Sequence, residues 1–114
     1  MSTRYYIRLP DPAAARGSDP DLAFRAQGAD YFAEELQQAL RGDALFQRWR
    51  TKQDEPDEVD PALGATDPDA RVTGSQGDVH VELVAVTSLP SAVLRHRLGL
   101  LAGSHWQLRD VTAA

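Results

Sequence analysis

In RYYIRL, near the start of the chain, Tyr5, Ile7 and Leu9 are offset by one residue from Tyr6 and Arg8. A period of two predicts a strand with one buried face. Pro10 and Pro12 end it, and PDPAAARGSDPD has the composition of an exposed loop. Residues 22–27, LAFRAQ, alternate again, with Leu22, Phe24 and Ala26 on one side. This favours a second strand. The rival reading takes Ser18-Asp19-Pro20-Asp21 as a capping box opening a long helix. Gly28 would then lie inside that helix at a cost of about 1 kcal/mol.

The period next lengthens to that of a helix. ADYFAEELQQALRG sets Ala29, Phe32, Ala33, Leu36 and Leu40 on one stripe, with Glu34, Glu35, Gln37 and Gln38 on the wet side. Gly42 stands where a left-handed C-terminal cap belongs. Residues 44–52 admit two readings. A short helix capped by Asp43 would turn Leu45, Phe46 and Trp49 inward, whereas a strand would align Leu45, Gln47 and Trp49. Helix-forming residues dominate the stretch, which tips the balance to a helix.

Residues 54–72 break the pattern. DEPDEVDPALGATDPDAR holds seven acidic side chains and three prolines, the composition of a mobile acidic loop and not of a second domain. After a tight turn at GSQGD, VHVELVAVTSL carries the strongest strand signal. Val79, Val81, Leu83 and Ala85 share one face; His80, Glu82, Val84 and Val86 share the other. That second face turns apolar at Val84, which predicts a strand end covered on both sides. A helix follows in which Leu94, Leu98 and Leu101 recur at i, i+4 and i+7. Gly103 ends it, and HWQLRDV reads as a last strand with Trp106 and Leu108 inward. The closing strand–helix–strand unit should be a right-handed crossover with parallel strands.

Residues 1–114 therefore read as a single α+β domain, a small mixed or antiparallel sheet covered on one face by two helices. The nearest common superfold is the ferredoxin-like βαββαβ sandwich, provided that residues 45–51 supply a strand. That assignment by itself predicts no activity.

Composition then narrows the function classes. Seventeen acidic against twelve basic side chains give a net charge of −5, which argues against nucleic acid as a partner. The absence of cysteine removes disulfide frameworks, zinc ribbons and thiol catalysis. No apolar run reaches signal-peptide or membrane-span length, so the expectation is a cytoplasmic protein with no membrane contact. His80, His96 and His105 lack the spacing of a local metal motif, and no metal or cofactor is expected. TGSQG lacks the first glycine of a nucleophile elbow and precedes a strand instead of following one. The acidic loop lacks the spacing of a calcium loop. The strand at 79–89 has no aromatic on which an RNA base could stack.

No catalytic constellation remains, and the expectation is a non-enzymatic domain that binds a protein partner, or itself through a sheet edge. Two surfaces of opposite sign are candidates. One is the acidic loop, through Asp54, Glu55, Asp57, Glu58 and Asp60. The other is the helix face carrying Arg95, His96 and Arg97, read as solvated. The alternative is a small-molecule-binding or cofactorless enzyme domain with a pocket between sheet and helices, lined by Tyr6, Trp49, His80 and His105.

Overall fold

The alternation in RYYIRL places β1 (Thr3–Leu9) in the interior of the sheet. The computed structural model describes residues 2–114. Three further strands, β2 (Arg71–Gln76), β3 (Val81–Thr87) and β4 (Gln107–Ala113), join β1 in the order β2-β3-β1-β4, and every neighbouring pair is antiparallel. β3 and β4 share a direction, as their crossover demands, but β1 lies between them. The sheet is thus antiparallel, not mixed.

On one face Tyr5, Ile7 and Leu9 stand opposite Ala85, Leu83 and Val81 and are buried with them. Helices α1 (Ala29–Arg41) and α3 (Ser91–Ala102) complete this core with Phe32, Leu36 and Leu40 from one and Leu94, Leu98 and Leu101 from the other. Each such side chain contributes roughly 1.5–3 kcal/mol through burial. Asp30 in the first turn of α1 and Arg41 in its last complement the helix dipole.

Several sequence expectations are corrected. Residues 22–27 begin in a turn and join no strand. Leu22, Phe24 and Ala26 are buried, yet the Phe24 N–H donates to the Leu101 carbonyl at the end of α3, and the Arg25 N–H donates to the Glu35 carboxylate. Their alternation reports a chain with one buried face, and here the chain runs along helices. The favoured helix reading of residues 44–51 holds: they form α2 (Ala44–Thr51) and supply no strand to the sheet. The remaining strand is 71–76, within what reads as loop and turn. Only Val72 of RVTGSQ is buried, so β2 shows almost no apolar pattern. Gly74 allows this strand to lie against α1, because a Cβ there would collide with the Ala29 carbonyl oxygen. Val79 lies outside β3 and is 77% exposed, in the connection from β2. Val84 and Val86 are only half-buried, so that end of β3 is not enclosed on both sides. Gly42 is extended (φ −130°), and the positive φ belongs to Gly103 (64°) at the end of α3.

The largest correction concerns Arg97. It lies three residues after Leu94 and four before Leu101, on the buried stripe and not the solvated one, and it is fully buried. Its guanidinium donates through Nη1 to the Ala39 carbonyl, and through Nη2 to the Leu63 and Ala65 carbonyls at 2.9 and 2.6 Å. Ala39 belongs to the last turn of α1, whose carbonyls have no helical partner. Leu63 lies in the second of two 3-10 turns, Pro56–Glu58 and Pro61–Gly64, that the acidic loop contains. Further along, Asp67 is buried. Its N–H donates to the Leu40 carbonyl, and its carboxylate accepts the Thr87 hydroxyl and the Ser88 N–H at 2.8 and 2.9 Å. These donors, Ser88 foremost, hold the Asp67 carboxyl below the usual carboxylate range.

Replacing Arg97 by Leu would take the donor from three carbonyls. At about 1–3 kcal/mol for an unsatisfied buried group, the buried Ala39 carbonyl alone sets an expected loss of at least about 1 kcal/mol, read as a lower urea midpoint, while the part-buried Leu63 and Ala65 carbonyls can turn to water. Arg97→Lys should recover only part of it, since a single ammonium lacks the planar fork.

Candidate docking site on the open sheet face

The face of the sheet away from the helices carries no buried residue. Strand register arranges its side chains in three rows. Thr112, Arg4, Val86 and Arg71 form the first, and Asp110, Tyr6, Val84 and Thr73 the second. Gln107, Arg8, Glu82 and Ser75 form the third. An apolar centre of Tyr6, Val84 and Val86 is thereby set among polar groups. In the third row charge is neutralised, because Arg8 donates to Glu82 through Nε and Nη2 at 2.8 and 2.7 Å, and His80 Nε2 lies 3.1 Å from the same carboxylate oxygen. The first row has no such compensation. Beside it opens a cleft of about 500 Å³ lined by Ser2, Arg41, Pro68, Asp69, Arg71 and Val86.

The margins of the sheet are blunted. On β2 the Val72 N–H is taken by the Gln37 side chain of α1 at 3.1 Å. On β4 the register slips by one residue at Arg109, and the Val111 N–H is taken by Asp110 Oδ1 at 2.8 Å. Bulges, charges and occupied donors keep edge strands from pairing with other chains.

The groups expected to form a site are dispersed. Arg97 is buried and presents nothing to a partner. His96 is half-buried, with its ring 4.4 Å from that of Trp49 and 6.4 Å from that of Phe46, so it docks α2 onto α3 and does not decorate a solvated face. Arg95 is exposed and lies over the Trp106 ring at 5.9 Å. Asp54, Glu55, Asp57, Glu58 and Asp60 are exposed; Asp57 meets Arg50, and Asp60 accepts the Ala62 N–H that opens the second 3-10 turn. Tyr6, Trp49, His80 and His105 do not meet. Tyr6 is on the open face, Trp49 on α2, His80 beside Glu82, and His105 exposed before β4. A separate cleft of about 370 Å³ is floored by Leu22, Ala39 and Leu45. Its rim mixes Asp21, Glu34 and Glu35 with Arg25 and Arg48, which selects no ligand charge.

Arg4, Arg8, Arg71, Glu82, Val84 and Val86 are not among the site residues expected from sequence. The available signal was the apolar turn of the His80–Val86 face, which marks an exposed centre and not a covered end.

Burial disfavours the charged form of His96, and the neighbouring Arg97 charge acts in the same direction, so its pKa lies below the ordinary histidine value. The unfolded chain takes up this proton at about pH 6.5 while the folded chain resists it. The contribution of His96 to stability is complete above that pH and is lost as pH falls through the folded value. Thermal melts at about pH 7.5 and pH 5.5, on either side of the unfolded-chain value near 6.5, should show a larger drop for the wild-type protein than for His96→Gln.

Comparison with known proteins finds no match among family models, curated proteins or solved structures.

Proposed function

We propose that this chain is a non-enzymatic interaction domain, cytoplasmic, with a ferredoxin-like core and the open face of its sheet as working surface. The fold reading is supported by the strand order β2-β3-β1-β4, with helices in the β1–β2 and β3–β4 connections. Residues 71–76 take the place expected of 45–51. The cytoplasmic reading carries over the sequence expectation drawn from the lack of a signal-peptide-length apolar run. Among the described residues no helix is long and apolar enough to cross a membrane.

One observation carries the functional reading. Tyr6, Val84 and Val86 occupy the middle of an uncovered sheet face framed by Arg4, Arg8 and Arg71. Covering them removes apolar area from water, and tyrosine and arginine are enriched at interface centres. Blunted margins favour recognition through this face over self-association through an edge. The dispersal of Tyr6, Trp49, His80 and His105 takes away the support for a pocket between sheet and helices.

Val84→Asp places a charge at the centre of the face without disturbing the core. In affinity capture from the source lysate, it should abolish retention of the partner. Its stability should fall by about 1–2 kcal/mol, the cost of an aspartate at a half-buried position of an interior strand, and leave the chain folded. Retention by Val84→Asp, together with loss in Asp57→Asn/Glu58→Gln, would move the surface to the acidic loop.

A further inference from the structure

We infer that the segment recognised at the open face is an acidic amphipathic helix, held by Arg4 and Arg71 on either side of Val86. This inference rests on the sheet face being the working surface.

Charge on this face is unevenly satisfied. Arg8 is engaged by Glu82. Elsewhere Lys52 is held by Asp19 and Asp21, Arg50 by Asp57 and the Pro56 carbonyl, and Arg16 by backbone carbonyls. Arg4 and Arg71 have neither an ion pair nor a side-chain hydrogen bond among the described residues, and both flank Val86 in one row. On a chain of net charge −5, this row presents two cations that make no ion pair among the described residues, with Asp69 lining the cleft beside Arg71. The complement is a pair of carboxylates with an apolar group between them.

Geometry selects the conformation of the partner. Adjacent strands lie about 4.8 Å apart, so Arg4 and Arg71, separated by β3, arise about 10 Å from one another. In an α-helix, residues i and i+7 share a face and stand about 10.5 Å apart, with i+3 and i+4 between them. An extended segment spans about 10 Å in three residues, which puts the two side chains on opposite faces. The helix therefore matches both the spacing and the apolar midpoint. It would cross the strands with its central apolar side chain on Val86 and its flank against Val84 and Tyr6. Two arginines bounded by Asp110 and Glu82 suit two carboxylates, whereas a nucleic-acid backbone needs a longer cationic track.

The test is an amide NMR titration of the full chain with a synthetic alanine-based helical peptide. The peptide carries two glutamates seven residues apart and a leucine midway between them; a control peptide replaces both glutamates by glutamine. Shifts are expected around Arg4, Val86 and Arg71, with Kd raised roughly fivefold or more by Arg4→Gln or Arg71→Gln and unchanged by Arg25→Gln. The control peptide should bind correspondingly less. Absence of binding, equal binding of the control, or indifference to both arginine variants overturns the inference, as does preference for a single-stranded oligonucleotide. Shifts on the open face that ignore the arginines would leave the sheet-face reading standing. Shifts confined to the Leu22/Leu45 cleft would remove both.

Discussion

A single buried cation organises this domain. Among the described residues Arg97 makes no ion pair, and its charge is met by carbonyl dipoles at the end of α1 and in the acidic loop. Charge-assisted bonds of this kind are stronger than neutral ones, and each carbonyl would otherwise be short of a donor. The fork fixes α3 against α1 and sets the path of the loop between them. From Ala65 the chain passes to Asp67, anchored on Leu40, Thr87 and Ser88, and then to Ala70, whose carbonyl accepts from Arg41 Nε at 2.6 Å. β2 begins at the next residue. The position of Arg71 on the open face is thus an end product of contacts made around Arg97.

The two faces of the sheet differ in composition. Inward side chains from β1 and β3 are apolar and enclosed by α1 and α3. Outward ones combine a small apolar centre with arginines, and at the edges Gln37 occupies the Val72 N–H on one side while Asp110 and the Arg109 bulge interrupt the other. Such interruptions disfavour open-ended strand addition at these edges.

Much of this was legible in the sequence where periodicity and burial coincide. β1, α1 and the core of β3 follow directly from their apolar spacing. The helix reading of 44–51 also holds, though its apolar spacing alone could not separate it from a strand. Three features escaped for physical reasons. Residues 22–27 alternate because one side is buried, and alternation does not say what accepts the backbone bonds. β2 is an edge strand with one buried side chain and a glycine chosen for its closeness to α1, so it has no hydrophobic signature. Arg97 sits at i+3 from Leu94, a spacing that places it inside the stripe, but a charged side chain there reads as solvated until its three carbonyls are seen. The candidate site escaped with them: its rows join residues far apart in the chain, and only strand register brings Arg4 beside Arg71.

Strand order has a consequence for synthesis. β1 is made first, yet its neighbours β3 and β4 come about 80 and 100 residues later. At ordinary translation speeds, β1 waits roughly 5–20 s for its second partner. Until β3 emerges YYIRL is an unpaired segment rich in β-forming side chains, and until β4 follows it keeps one open edge, the kind of exposure that seeds misassembly between nascent chains. Arg4 and Arg8 then act as gatekeepers, their charges discouraging contact between like strands until the proper neighbours emerge.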